Sequence, residues 1–202
     1  MIDDAFLPDV SRETLSDLNA YAEVLLKWNR RINLIGASTV DDLWNRHILD
    51  SIDAVQCIEN EPDTWLDLGT GAGLPGVVAA ILNRDTKIIL LESDKRKCEF
   101  LRAVRRELGL NLEILANRIE AAPPKKATVI SARALAPLTD LLKFVERHGT
   151  VGTTCVFPKG RSWADEHAVA SDTWEYDLDA RQVRAESDGR ILVIRNLRRK
   201  EH

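Results

Sequence analysis

The chain predicts an α/β fold: a mostly parallel, Rossmann-like sheet with an antiparallel C-terminal edge strand, preceded by N-terminal helices. Three observations carry this. From Pro62 onward, apolar runs of strand length alternate with helical patterns. A glycine-rich turn, Gly69-Thr-Gly-Ala-Gly73, joins the first of these strands to the first helix. An open parallel sheet holds ligands at its carboxyl edge with connections of this kind. Near the C-terminus, Asp188-Gly189 separates two strand-like runs, a tight-hairpin signal.

The elements follow in order. Leu15, Leu18, Ala22, Leu25 and Leu26 recur at helical spacing, with Ser11 placed to cap them. Val40, Leu43, Trp44, His47, Ile48, Ser51, Ile52 and Val55 form a second amphipathic face. Strands are expected at 64–68, 87–92, 112–115, 127–132 and 151–157. Helices are expected near 75–83, 95–108, 137–148 and 162–170, and hairpin strands at 182–186 and 190–195. Pro75 suits a first helical turn, where its missing N–H costs nothing. The 202 residues are expected to form one domain, 1–60 a helical extension and 61–202 the Rossmann-like core.

Composition narrows the class. With 45% hydrophobic and 30% charged residues the chain is ordinary for a globular protein. No apolar run is long enough to span a bilayer, and the start, with Asp3 and Asp4, lacks a basic leader; a cytoplasmic location and no membrane partner are expected. Cys57, Cys98 and Cys155 are scattered without a C-x-x-C pair, so neither a disulfide framework nor a metal site is expected. A net charge of −4 opposes indiscriminate coating of nucleic acid. It leaves room for a local basic face, and Lys95, Arg96, Lys97, Arg102, Arg105 and Arg106 crowd one predicted helix.

The glycine loop admits two cofactors. Gly71-Ala-Gly-Leu-Pro-Gly76 satisfies G-x-G-x-x-G, and Glu92 lies at about the offset of a ribose-binding acid, as in nicotinamide-dependent oxidoreductases. In another frame, Asp67 followed by Gly69-Thr-Gly-Ala-Gly73 resembles motif I of class I S-adenosylmethionine-dependent methyltransferases. There an acid ending the next strand binds the ribose, and Glu92 ends the run from Lys87. The loop alone leaves both open.

Further motifs favour the second frame. Trp28-Asn-x-x-Ile-Asn-Leu34, Arg46-His-Ile-Leu-Asp-Ser51 and Asp67-Leu-Gly-Thr-Gly-Ala-Gly-Leu-Pro-Gly76 come first. Leu91-Glu-Ser-Asp-Lys-Arg96, Asn117-Arg-Ile-Glu120, Ser131-Ala-Arg-Ala134 and Phe157-Pro-Lys-Gly160 follow in order. Together they resemble the bacterial small-subunit (16S) ribosomal RNA guanine-N7 methyltransferase family, also called the glucose-inhibited division protein B family. The resemblance implies a class I methyltransferase fold, S-adenosyl-L-methionine as cofactor, and 16S ribosomal RNA or the small subunit as partner, with a monomer the simplest state. It implies that Gly69 and Leu74 line the cofactor while Thr70, Gly71 and Gly73 shape the loop. Glu92 would hold the ribose, Ile119 and Glu120 the adenine, and Arg133 the cofactor–substrate junction. Many members carry a small residue where this chain has Ile119.

Guanine N7 carries an in-plane lone pair and needs no general base, so catalysis rests on placement and electrostatics. No Asn/Asp-Pro-Pro-Tyr/Phe motif for exocyclic amines and no Pro-Cys nucleophile is present. No general base is expected, and the resemblance makes Arg133, as a donor near the reacting base, the best catalytic candidate. Arg46, His47, Lys95, Arg96 and Lys159 are candidates for substrate binding. Each has a plainer reading: His47 as a packed histidine, Arg46 and Asp50 as an i,i+4 helix pair, Lys95, Arg96 and Lys159 as solvated charges. A non-catalytic RNA-binding module with a vestigial pocket is the remaining alternative.

Overall fold

The computed structural model describes residues 10–183 and 188–201. Asp3, Asp4 and most of the expected hairpin strand 182–186 lie outside the described residues. Helix α1 (Arg12–Asn29) begins at Ser11, whose hydroxyl accepts the Thr14 amide at 3.1 Å, and buries Leu15, Leu18, Tyr21, Ala22 and Leu25. At its end the Asn29 side chain accepts the amides of Leu34 and Ile35 at 2.8 and 3.0 Å. The loop is thereby folded back onto the end of α1. The second helical pattern is not uniform. A π-helical turn, Trp44–Leu49, leads into α2 (Asp50–Gln56), and its extra residue per turn rotates Arg46 and His47 relative to the face that 3.6 spacing predicts.

The Rossmann-like core follows the predicted alternation: β1 (Thr64–Leu68), α3 (Gly76–Leu82), β2 (Lys87–Leu91), α4 (Lys95–Glu107), β3 (Leu112–Leu115), β4 (Ala127–Ser131), α5 (Leu138–His148) and β5 (Gly149–Lys159). With β6 at Trp174–Gln182 and β7 at Arg190–Arg199, the sheet order is β3-β2-β1-β4-β5-β7-β6, β1 to β5 being parallel. Residues Trp65 to Leu68 of β1 are all buried, as a parallel strand covered on both faces requires. Helices α1 to α4 pack one face around Val77, Phe100 and Leu101. Helices α5 and α6 (Trp163–Thr173) cover the other around Leu141, Leu142 and Phe157. The order reverses between β1 and β4, and at such a switch point a crevice opens beyond the carboxyl ends of the strands.

The antiparallel edge is two strands wide. Strand β7 (Arg190–Arg199) runs antiparallel to both β5 and β6 (Trp174–Gln182), and lies between them. The first hairpin strand thus occupies 174–182. Its buried or half-buried Trp174, Tyr176, Leu178 and Ala180 alternate with polar neighbours, the period of a half-exposed strand.

Candidate active site

The glycine loop is held from three sides. Beneath it, the buried Asp67 on β1 accepts the Gly76 amide at 3.2 Å and the Ser131 hydroxyl at 2.6 Å. Ser131 on β4 in turn accepts the Trp65 indole N–H at 2.7 Å. Burial pushes the Asp67 carboxyl up to about 6, against the pull of these donors and of Arg133. From β2, Glu92 accepts the Gly71 amide on one oxygen at 2.9 Å and the Asp94 amide on the other at 2.8 Å. From α1, the fully buried Tyr21 hydroxyl donates to the Ala72 carbonyl at 2.6 Å. The sequence reading leaves Tyr21 out of the site. Its one signal is a phenol among the leucines of the apolar face, and a buried phenol needs a partner.

Two cavities open at the carboxyl edge. One, of about 400 Å³, is lined by Gly69, Glu92, Lys97, Ile119, Glu120 and Phe144, among others. The other, of about 710 Å³, is lined by residues that include Arg46, His47, Asp50, Arg133, Lys159 and Glu166. Ala134, Leu135 and Ala136 line both and form the partition between them. Gly69 has φ +58°, and a Cβ there would lie 2.5 Å from the Leu135 Cδ1. A side chain at that position would push into the partition.

The predicted site residues divide between these spaces. Gly69, Glu92, Ile119 and Glu120 meet in the smaller cavity. Of the loop only Gly69 lines that cavity; Thr70, Gly71 and Gly73 shape the turn behind it, the two glycines at φ +55° and +87°. Leu74, expected to line the cofactor, is instead buried in the hydrophobic cluster beneath the loop. Arg46, His47, Arg133 and Lys159 meet in the larger cavity. Lys95 and Arg96 line neither; they are exposed at the start of α4, where Arg96 pairs with Asp94.

Within the larger cavity the charged groups have defined tasks. Lys159 donates to the Ala136 carbonyl and to Glu166, both at 2.7 Å, and Glu166 also accepts the Leu138 amide at 2.8 Å. This pair clamps the partition to β5 and α6. Arg133 follows β4, is half-buried, and donates to the Arg46 carbonyl at 3.4 Å. Burial lowers its pKa, opposed by Tyr21, Asp50 and Asp67. Thr39 spends its one hydroxyl hydrogen on the Gly36 carbonyl at 3.0 Å, so the His47 Nε2–H donates to Thr39 at 2.8 Å. His47 Nδ1 is then the lone-pair nitrogen, buried and without a partner among the described residues. Burial, with Arg133 and Arg46 nearby, lowers the His47 pKa to about 4 and keeps the ring neutral at pH 7.

The smaller cavity fits an adenosine-bearing cofactor. Each Glu92 oxygen accepts one amide, which leaves a second lone pair on each for ribose hydroxyls. Leu91, Ile119, Leu135 and Phe144 supply apolar walls for a purine. The cradle is formed by loop backbone, with no side chain between Gly69 and Gly73 larger than Thr70.

Known proteins resemble the chain over most of its length. Residues 14–193 match the family model described as rRNA small subunit methyltransferase G (GidB). A ribosomal RNA small subunit methyltransferase G from Ruegeria sp. (strain TM1040) is 47% identical over 95% of both chains. One from Ruegeria pomeroyi is 43% identical over 98% of this chain and 99% of its own. Among solved structures, a SAM dependent methyltransferase from Aquifex aeolicus superposes with a TM-score of 0.61 at 14% identity, over 79% of this chain and 99% of that one. TYW2 from P. horikoshii in complex with MeSAdo gives 0.59 at 11% identity, over 76% and 62%. These two likenesses concern the fold: the sheet is that of the class I S-adenosylmethionine-dependent methyltransferases. The sequence matches run through both cavities and the partition between them, and the chain belongs to the rRNA small subunit methyltransferase G family.

Proposed function

We propose that the chain is an S-adenosylmethionine-dependent methyltransferase acting on a guanine N7 of 16S ribosomal RNA. The observation that carries this reading is the pair of cavities that share one thin wall, residues 134–136. Glu92 marks the smaller as the nucleoside end of the cofactor, and Arg133 marks the larger as the acceptor side. When bound, the cofactor supplies an electrophilic methyl group on a sulfonium.

The residues then act by holding and excluding. Glu92 fixes the ribose while keeping the loop amides in place. Asp67, Ser131 and Tyr21 stiffen the loop that would hold the cofactor. Lys159 and Glu166 hold the partition from the other side. The larger cavity, about 710 Å³, lies within the range for drug-sized ligands, so a base splayed from an RNA strand fits it. With its pKa lowered to about 4, His47 is a weak base, which suits a nucleophile that already carries a lone pair. The exposed Lys95 and Arg96 suit phosphate contacts that orient RNA without reading its sequence. We read the chain as a monomeric, cytoplasmic, single-domain enzyme.

The family relation and the fold oppose the nicotinamide reading, because in this sheet the loop frame begins at Gly69, directly after β1. The test is to incubate the protein with tritiated S-adenosylmethionine and unmodified small-subunit RNA, naked and assembled, then digest to nucleosides. Label in 7-methylguanosine is expected. Label in any other nucleoside refutes the guanine-N7 assignment, and cofactor binding without label favours an RNA-binding module.

A further inference from the structure

Guanine-N7 transfer requires a base to be chosen as well as reached, and the larger cavity holds two carboxylates with which to do it, Asp50 and Glu166. Glu166 is committed. One of its oxygens accepts the Leu138 amide and Lys159, and the other accepts the Ser162 hydroxyl at 3.1 Å. Its acceptors hold the partition together. Asp50 stands elsewhere, at the head of α2 directly after the π-helical turn, where it lines the cavity within electrostatic reach of Arg133.

Resting on the reading above, we propose that Asp50 is the residue that selects guanine, its carboxylate accepting the N1–H and exocyclic N2–H of the target base. The argument has three parts. Guanine alone among the RNA bases presents two adjacent donors on one edge, and a carboxylate is the side chain with two adjacent acceptors. That edge lies across the ring system from N7. A base gripped by this edge therefore turns N7 away from Asp50, within a cavity that residues 134–136 also line. A pairing between Asp50 and a neighbouring guanidinium is compatible, because a carboxylate has about four lone-pair sites.

Charge provides the third part. Forming the N7–CH3 bond consumes the ring nitrogen's lone pair, the electrons of the broken C–S bond stay on sulfur, and no proton moves. The base gains a positive charge. A carboxylate on the N1–H edge becomes more favourable as that charge develops, which is the condition for accelerating the step rather than merely binding the substrate. Adenine would set its N1 lone pair against the same carboxylate and be rejected.

The test begins by mapping the guanosine that the wild-type protein methylates. Small-subunit RNA carrying a single inosine at that position, which keeps N1–H and N7 and lacks the N2 amine, is then reconstituted with subunit proteins. The wild-type protein is expected to prefer guanosine over inosine in kcat/KM by about tenfold or more. In Asp50→Ala the guanosine rate falls by about tenfold or more, the inosine rate changes less, and the preference collapses toward one, with S-adenosylmethionine affinity unchanged. Asp50→Asn, equal in size, gives the same collapse if the alanine variant folds poorly. A preference that survives both substitutions overturns the proposal. Absence of 7-methylguanosine with the wild-type protein removes the underlying reading before any variant is compared.

Discussion

Removing the Ser131 hydroxyl tests how the loop is supported. Ser131 stands between two fully buried partners, donating to Asp67 at 2.6 Å and accepting from Trp65 at 2.7 Å. In Ser131→Ala, Asp67 loses its shortest donor, a hydrogen bond to a charged group worth about 1.5–3 kcal/mol. The Trp65 indole N–H is left buried and unpaired, at a cost of about 1–3 kcal/mol. The two losses share one network and do not simply add, so a net destabilisation of about 3 kcal/mol is expected. For a protein of this size each kcal/mol lowers Tm by about 2–4 °C, giving a fall of about 6–12 °C. Thermal unfolding followed by circular dichroism at pH 7, supported by urea titration, measures it. A Tm within about 2 °C of wild type would refute the argument that this hydroxyl ties β1, β4 and the loop together.

Other predictions follow from the same geometry. Asp67, pushed up to about 6, is harder to ionise folded than unfolded, so its contribution to stability is present below about pH 4 and lost as pH rises through 6, about 3 kcal/mol in all. His47, lowered to about 4, acts oppositely: its contribution is present above pH 6.5 and lost as pH falls toward 4. Urea titrations at pH 4.5 and 6 are expected to show a steeper fall in stability with rising pH for His47→Gln than for wild type; equal slopes would contradict this. At Gly71 the φ of +55° and open space beyond the Cβ position predict that Gly71→Asp folds with a loss of about 1–2 kcal/mol. The added carboxylate beside Glu92 is expected to abolish S-adenosylmethionine binding in calorimetry, and normal binding would refute the loop assignment. Lys159→Met is expected to lower Tm by several degrees through loss of the Ala136 and Glu166 contacts. The salt dependence of RNA affinity is expected to be unchanged, whereas a lysine that binds phosphate would reduce the log–log slope by about 1.

Much of the core was legible because its elements are locally self-consistent. Strand β1 matches its predicted limits, and β2, β4 and α4 do so within a residue, since each is an unbroken apolar run or an amphipathic face ended by turn residues. Glu92 was legible because a carboxylate ending a buried strand needs an explanation. Strand β6 was misplaced despite its alternating Trp174, Tyr176, Leu178 and Ala180, because the charges between them resemble loop and the Asp-Gly signal locates only a turn. The π-helical turn at 44–49 escaped because an inserted residue leaves no composition signal. The Tyr21–Ala72 hydrogen bond joins residues 51 apart, and the commitment of Lys159 to Glu166 depends on where α6 packs. Neither spacing nor motif carries such information; only the assembled fold does.

The central claim is the division of labour between two cavities across residues 134–136. The most direct measurement is a crystal structure with S-adenosylhomocysteine bound. The account predicts adenine among Ile119, Leu135 and Phe144, ribose hydroxyls on Glu92, and the sulfur directed at the partition toward Arg133. Adenosine seated instead among Arg46, His47 and Asp50 would contradict it.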